Sequence, residues 1–197
     1  LQHTPLETPE WRQELIQNQL DRFWMYYIQH RIPEIESLVQ QLQPWIEANG
    51  TPSQRARFSI GVTQINLRRY RYAVTPEQLA IQRRGLEAAQ AADDPNLLAE
   101  LHFTYGFLLL WHGSWPEAEA ELAAAVTLCK QTGNVTILAR TLSYMVILHR
   151  LRKDGPKLQA LLPELSQVLQ AAGLKEYLPY ISASEAWLAW QANRFDE

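Results

Sequence analysis

Hydrophobic residues recur at helical spacing along most of the chain. Between Trp11 and Ile28 they return every three to four positions, and polar residues fill the positions between them. This spacing places the apolar side chains on one face of an amphipathic helix. The apolar positions of this segment are Trp11, Leu15, Ile16, Leu20, Phe23, Trp24, Tyr27 and Ile28. Convincing strand patterns are absent, so the sequence predicts an all-α protein.

Short segments with Thr, Pro, Asp or Gly separate the apolar runs and mark helix boundaries. Thr51 before Pro52 and Thr75 before Pro76 each combine a capping residue with a proline at the first helical position. Gly50 is suited to end the helix before Thr51. Further helix starts are predicted in the segments DDPNLLAELHF, GSWPEAEAEL, TGNVTILAR, DGPKLQALL and KEYLPYISASEAW. These boundaries predict about nine helices with short links.

Six residues between positions 106 and 125 have the spacing of a helical hairpin repeat. They are Gly106, Gly113, Trp115, Ala118, Leu122 and Ala125. The small residues in the two helices allow close approach, Leu122 fills the space between them, and Gly113 permits the turn. This pattern resembles the tetratricopeptide repeat (TPR), a two-helix unit that stacks into an array. The resemblance implies a right-handed α-α superhelix.

The pattern returns with a period of about 40 residues. Val146 takes the position of Gly106 after 40 residues and Ala186 takes it after 80, while Phe195 corresponds to Trp115. We expect a single TPR-like domain over residues 1–197 that is a piece of a longer protein. Its hairpins are predicted at about 10–50, 52–93, 95–133 and 134–173, followed by the first helix of a fifth at 175–193.

The composition fits a globular protein and narrows its partners. Hydrophobic residues make up 47% and charged residues 20% of the chain, the formal charge is −3, and the pI is about 6.0. There is no net basic field to attract nucleic acid. Cys129 is the one cysteine, which excludes an intramolecular disulfide and favours a reducing, cytoplasmic location. No apolar run approaches the roughly 18 residues of a membrane span, so no membrane partner is expected.

Residues with catalytic or metal-binding chemistry are scattered along the chain. The five histidines show no H-x-x-x-H spacing and there is no C-x-x-C pair, so no metal site is predicted. Glu117 and Glu121 share one helix face near its N-terminus, where the helix dipole accounts for them. No phosphate-binding glycine loop and no G-x-S-x-G motif is present. We therefore predict a protein without catalytic activity and without a cofactor.

One basic and aromatic stretch reads NLRRYRYAV at positions 66 to 74. In it, Arg68, Arg69 and Arg71 are interleaved with tyrosines. Such a mixture can pair with phosphates and stack on bases. Cations at the end of a helix are also expected from the helix dipole alone. A nucleic-acid contact is therefore the less favoured interpretation of this stretch.

The resemblance to TPR arrays implies a concave groove lined by the first helix of each hairpin. The spacing from Gly106 places aromatic and arginine residues in that groove: Phe103, Phe107, Trp111, Arg140, Arg150, Tyr180, Trp187 and Trp190, with Tyr70 and Arg71 in a weaker N-terminal register. Other aromatic residues, Trp24, Trp115 and Tyr144, are expected in the core. Aromatic residues mixed with arginine favour a peptide or protein-segment site. The sequence favours equally the alternative that neighbouring repeats or a second copy of the chain fill the groove.

Long-helix repeats of this style resemble the sensor arrays of large bacterial multidomain ATPases and transcriptional regulators. That resemblance implies a non-catalytic module that binds a protein or peptide in bacterial signalling or transcription regulation. The alternative is a peptide-pheromone receptor, in which Asn66, Arg140 and Arg150 clamp the peptide backbone. Uncovered terminal faces around Ala186 and Trp190 also predict self-association.

Overall fold

Nine α-helices follow one another without a strand in residues 8–194, the part of the chain that the computed structural model describes. The helices are α1 (Pro9–Ile28), α2 (Ile32–Asn49), α3 (Pro52–Arg69), α4 (Pro76–Ala91), α5 (Pro95–His112), α6 (Trp115–Thr132), α7 (Val135–Leu151), α8 (Gly155–Ala172) and α9 (Leu178–Gln191). A 3₁₀ turn, Lys175–Tyr177, precedes α9. The predicted all-α fold of about nine helices is confirmed.

The chain divides into two compact units, Leu1–Leu97 and Leu98–Glu197. In the first unit, α1 packs on α2, α3 packs on α4, and α3 also contacts both helices of the preceding hairpin. In the second unit, α7 packs on α6 and α8, and α9 packs on α7 and α8. Each unit is therefore built from helices that contact their neighbours along the chain, which is the packing of a helical repeat array.

Thr51 and Thr75 cap α3 and α4 as the sequence predicts. Each hydroxyl accepts a hydrogen bond from the backbone N–H three residues later, and the side-chain oxygens of Gln54 and Gln78 accept in return from the threonine N–H groups. These reciprocal bonds satisfy two backbone donors at each helix start. Gly50 ends α2 as predicted, and a Cβ there would lie only 2.7 Å from a carbonyl oxygen of the last helical turn.

The same turn closes every first helix of a hairpin and returns at intervals of 40 to 42 residues. At each turn a backbone N–H donates to the carbonyl oxygen five residues earlier, and the acceptors are Tyr26, Leu67, Leu109, His149 and Ala189. The residue before each donor has a positive φ, and these residues are His30, Arg71, Gly113, Lys153 and Asn193. This is the hydrogen-bonding pattern of a Schellman motif. The second helices α6 and α8 end in the same motif, at Gly133 and Gly173, so it is the interval between the turns of the first helices that gives the repeat period.

Only one of these five left-handed positions holds a glycine, so the backbone predicts opposite effects of two substitutions. Lys153 has φ +57° and an exposed side chain, so we expect Lys153→Gly to raise the free energy of unfolding by about 1 kcal/mol. A Cβ on Gly113 would meet nothing within 4 Å, so Gly113→Ala adds no steric contact. It should lower the free energy of unfolding by about 1 kcal/mol, the cost of a left-handed backbone for alanine. Urea unfolding followed by circular dichroism measures both. Lys153→Ala removes the same side chain without relieving the backbone, and a gain equal to that of Lys153→Gly would contradict the prediction.

Two glycines mark very close helix contacts, one in each unit. A Cβ on Gly106 in α5 would lie 2.9 Å from Cγ of Leu122 in α6. A Cβ on Gly61 in α3 would lie 2.6 Å from the ring of Phe23 in α1. Leu122 and Phe23 are themselves buried. The buried small residues on either side of Leu122 are Ala118 and Ala125.

Trp115 differs from the expectation that it is hidden in the core. Its side chain is 36% exposed, because it is the first residue of α6 and lies at the end of the hairpin, beside the turn. Trp24 is half-buried and makes edge contacts with Phe23 and Tyr27 at ring-centroid distances of 5.6 and 5.5 Å. Phe195 lies outside the described residues.

Candidate functional site

A continuous group of aromatic rings connects the first helices of the second unit. The rings belong to α5, to α7, to the 3₁₀ turn before α9 and to the first turn of α9. We call them the aromatic row: Phe103, Phe107, Trp111, Tyr144, Tyr177 and Tyr180. At its centre, the rings of Phe107 and Tyr144 meet edge to face at 4.6 Å between centroids. Edge-to-face contacts at such distances are favourable for aromatic pairs.

Helical spacing explains how α5 contributes three members of the row. Phe103, Phe107 and Trp111 are four residues apart, so they lie on one face of the helix. Consecutive ring centroids along that face are 6.1 and 6.0 Å apart. Tyr144 of α7 contacts the row from the side, at 5.8 Å from Phe103 and 6.1 Å from Tyr180. Two neighbouring first helices and the start of a third thus form one surface.

Arg140 places a cation in this row. It lies one helical turn before Tyr144, and its guanidinium carbon is 4.6 Å from the ring centroid of Phe103. A guanidinium over an aromatic face is attracted by the ring quadrupole and keeps its N–H groups at its edge. Burial raises the pKa of Tyr177, and the charge of Arg140 opposes that rise. Arg140 therefore lies near Phe103 of α5 and also acts on Tyr177 before α9.

Some rings of the row are buried and others are partly exposed. Phe103 and Phe107 are buried, whereas the Trp111 side chain is 42% exposed. The tyrosines of the row and Arg140 are half-buried. Partly exposed rings beside a held cation can contact another molecule without unfolding of the core.

The other residues predicted to line a groove lie elsewhere on α7 and α9 and in the first unit. Arg150 lies ten residues after Arg140 on α7, which corresponds to about 15 Å along a helix. Trp187 is half-buried on α9, and Trp190 on the same helix is 59% exposed. Asn66 lies on α3 in the first unit. Tyr70 and Arg71 are also in the first unit, in the turn after that helix and not on its face.

Sequence reasoning missed two members of the row. Tyr144 was expected in the core, but it is half-buried and joins the rings of three helical segments. Its position four residues after Arg140 is the signal that could have revealed it, because the two side chains share a helix face. Tyr177 lies in the 3₁₀ turn before α9. The spacing of apolar residues in an α-helix therefore could not assign it to a face.

A cleft of about 420 Å³ lies between α2, α3 and α4 in the first unit. Ile46, Phe58, Val62 and Ile81 contribute apolar side chains, and the charged lining residues are Glu47, Arg55, Arg84 and Glu87. Arg55 donates hydrogen bonds to the carbonyl oxygens of Ile46 and Glu47 at the end of α2. The cleft has the size of a small-molecule site, and no sequence pattern predicts it.

An ion-pair cluster with a buried histidine connects α6, α7 and α8. Glu119 accepts hydrogen bonds from Arg152 and, at 2.5 Å, from Lys157. His149 is 3% exposed, and its Nδ1 has no hydrogen-bond partner among residues 8–194. Burial lowers the pKa of His149, although the charges of Glu119 and Asp154 oppose this and those of Lys157 and Arg152 reinforce it.

The lowered pKa of His149 predicts that stability falls as the pH falls below about 6.5, the ordinary histidine value. Below that pH the unfolded chain binds this proton more readily than the folded chain, so the free energy of unfolding decreases. The lowered pKa of Glu119 acts only below 4.5. Urea midpoints at pH 7.5, 6.5 and 5.5 measure the effect, and His149→Gln should flatten the profile. The exposed His112 provides the control, and a His112→Gln profile as flat as that of His149→Gln would contradict the assignment.

Cys129 and the side chains that can bind metal ions are the remaining groups with reactive chemistry. Burial raises the pKa of the Cys129 thiol to about 11, which keeps it protonated and weakly nucleophilic at neutral pH. Within residues 8–194, no three His, Cys, Asp or Glu side chains are grouped as ligands for a metal ion. None of the helices described has the length and apolar character to cross a membrane.

Three comparisons with known proteins found no match to this chain. No protein-family model matches the chain, no curated protein is significantly similar to it, and no solved structure matches it. The functional proposal therefore depends on the residues and their geometry.

Proposed function

We propose that the chain is a non-catalytic binding module that holds a peptide or protein segment against the aromatic row. The observation that supports this proposal is the combination of partly exposed rings with Arg140 stacked on Phe103. Tyrosine, tryptophan and arginine are the residue types that contribute most to protein interfaces, because each combines a large apolar surface with polar groups. A row of such residues on adjacent helices fits an elongated ligand.

Arg140 would supply the polar contact in this site. No carboxylate forms an ion pair with it among the described residues. Its N–H groups can therefore donate to a ligand's backbone carbonyl or carboxylate, while the rings take its apolar side chains. Arg150, about 15 Å away along α7, could contact a longer ligand at a second point.

The finer proposal is that these repeats are tetratricopeptide-like and serve as the sensor or scaffold part of a bacterial signalling or transcription-regulating protein. The backbone turns that return every 40 to 42 residues and the contact of Gly106 with Leu122 support the repeat assignment. A peptide-pheromone receptor is the alternative in which the ligand is a short free peptide. The two differ in whether the ligand binds as an internal segment or requires free termini.

Peptide selection tests the proposal with matched tryptophan variants. Peptides selected from a random displayed library against the whole chain should bind Trp111→Ala about tenfold or more weakly, since an interface tryptophan can contribute 2 kcal/mol or more. Trp45→Ala is the matched control, because Trp45 is 44% exposed and lies in the first unit. Fluorescence anisotropy gives the affinities, and circular dichroism verifies that both variants stay folded.

Three outcomes would count against this site. One is that selection gives no binding peptide, and another is that both tryptophan variants bind equally well. The third is that Trp111→Ala loses stability with no loss of binding, which would make the row a packing surface. Sedimentation at several protein concentrations accompanies the titrations, because the exposed Trp190 and Leu178 of α9 also fit the proposed self-association.

A further inference from the structure

The ends of α1 and α3 form a second surface, rich in arginine, in the first unit. Arg68, in the last turn of α3, lies 4.1 Å from the ring centroid of Tyr27 on α1. It also lies 3.4 Å from Nδ1 of His30, so that nitrogen is the acceptor. These contacts join two hairpin turns that are about 40 residues apart in sequence. We call the five arginines in these two helix ends and the turns after them the arginine edge: Arg22, Arg31, Arg68, Arg69 and Arg71.

Tyrosine rings hold most of these guanidinium groups in place. Arg22 and Arg31 lie 5.1 and 4.5 Å from the ring centroid of Tyr26, and Arg69 lies 5.6 Å from that of Tyr70. A stacked guanidinium loses little further conformational freedom when it forms a hydrogen bond, because it is already positioned. Four of the five guanidinium groups of the arginine edge, those of Arg22, Arg31, Arg68 and Arg69, are therefore positioned before any ligand arrives.

Two of the five arginines are already neutralised by carboxylates of the chain itself. Arg31 pairs with Glu34 at 2.8 Å and Arg69 pairs with Glu36 at 3.3 Å. Arg31 also holds the pKa of Glu34 below its ordinary value. The other three arginines have no carboxylate partner within residues 8–194. The surface thus has a local excess of positive charge in a chain whose formal charge is −3.

Two exposed tyrosines lie beside the unneutralised arginines. Tyr70 is 48% and Tyr72 is 54% exposed. Arg71 and Tyr72 are consecutive residues with positive φ, a conformation that costs non-glycine residues free energy. Arg71 holds the left-handed position that the turns after all five first helices share, and only at this turn among them is the next residue, Tyr72, left-handed as well.

We infer that the arginine edge binds an acidic protein segment, whose carboxylates pair with Arg22, Arg68 and Arg71 and whose apolar side chains contact Tyr70 and Tyr72. The pairs with Glu34 and Glu36 show that this surface accommodates carboxylates in charge-assisted hydrogen bonds. Nucleic acid is the alternative anion. The observations favour the protein segment because the excess charge is confined to two neighbouring turns, and the rest of the chain is net negative and would repel a long polyanion.

Fluorescence anisotropy at low salt with two labelled probes tests this inference. One probe is a glutamate-rich peptide with a few leucines, compared with the same peptide carrying glutamine for glutamate; the other is an oligouridine of equal charge. We expect the acidic peptide to bind and the glutamine peptide not to bind. The double variant Arg68→Gln/Arg71→Gln should lower the affinity about tenfold, since each exposed ion pair contributes up to about 1 kcal/mol. The control Arg84→Gln/Lys175→Gln removes the same charge from other exposed positions and should bind nearly as well as the wild type.

A variant that gains affinity makes the test independent of folding. Glu34→Gln/Glu36→Gln releases Arg31 and Arg69, so it should bind the acidic peptide several-fold more tightly, an effect that misfolding would not produce. The inference would be overturned if the wild type did not bind the acidic peptide. It would also be overturned if Arg68→Gln/Arg71→Gln and the control Arg84→Gln/Lys175→Gln lost equal affinity for it. Arginine-edge-dependent binding of oligouridine without binding of the peptide would replace it with a nucleic-acid contact. Trp111→Ala should leave this binding unchanged, so the result is separate from the test of the aromatic row.

Discussion

Replacing Gly106 with leucine is expected to lower the free energy of unfolding by about 3 kcal/mol or more, the upper part of the range for overpacking a core. A Cβ at this position would already lie 2.9 Å from Cγ and 3.1 Å from the backbone nitrogen of Leu122. The backbone atom cannot rotate away as a side-chain terminus can. The added side chain must therefore push α5 and α6 apart. Urea unfolding followed by circular dichroism gives the loss.

Ala120→Leu is the matched control for this substitution. Ala120 is exposed on α6, so the same helix gains a leucine where there is room for it. Its stability should stay within about 0.5 kcal/mol of the wild type. If Gly106→Leu unfolded at the same urea concentration as this control, the two helices would not be in contact through residue 106.

Removing the ring of Phe23 is expected to lower the free energy of unfolding by about 3 to 5 kcal/mol. Phe23 is 1% exposed and packs with Ile35, Leu38 and Ile65 in the core of the first unit. Phe23→Ala removes these contacts and leaves a cavity beside α3. Urea unfolding measures the loss, and Met25→Ala on the same helix is the control because Met25 is 55% exposed.

Gly61→Ala makes the prediction for Phe23 sharper. Alone it should destabilise the chain by about 1 to 3 kcal/mol, because the new methyl group would lie 2.6 Å from the Phe23 ring. Combined with Phe23→Ala, the methyl group occupies part of the cavity, so the double variant should lose less than the sum of the two single losses. If the losses in the free energy of unfolding were additive, residue 61 and the Phe23 ring would not be in contact.

The helix boundaries could be predicted because their signals are local. Thr51 and Thr75 each precede a proline and are followed three residues later by a glutamine, and both form the expected capping bonds. The left-handed turns were harder to predict, since four of the five turn positions hold residues other than glycine. A Schellman turn is fixed by backbone hydrogen bonds, and residues such as Lys153 adopt it at a cost that leaves no mark in the sequence.

Close helix contacts were predictable only where they follow the repeat pattern. Gly106 belongs to that pattern, and its contact with Leu122 lies between the two helices of one hairpin. Gly61 is five positions away from the residue that a 40-residue shift from Gly106 would select. Its contact with Phe23 joins the first helices of two successive hairpins, α1 and α3. A pattern defined within a hairpin carries no information about such a contact.

The aromatic row was predictable in part for the same reason. Helical spacing placed Phe103, Phe107 and Trp111 on one face, and the structure brings them together with Arg140. The exposure of Tyr144 could not be derived, because a large ring at the boundary between two helices can be covered or left open by small differences in packing. The arginine edge was visible in the sequence only as its α3 half. The α1 half, with Arg22 and Arg31, becomes part of it through contacts across about 40 residues.

The preference of each helix for its chain neighbours also affects how the protein is synthesised. In each unit, helix contacts join elements that are one or two positions apart in the order of the chain. Such short-range contacts need little loop closure, which favours rapid folding. A hairpin can therefore close soon after it leaves the ribosome, before the next one is made. The growing chain would expose one unfinished apolar face at a time, and this limits the surface available for aggregation during translation.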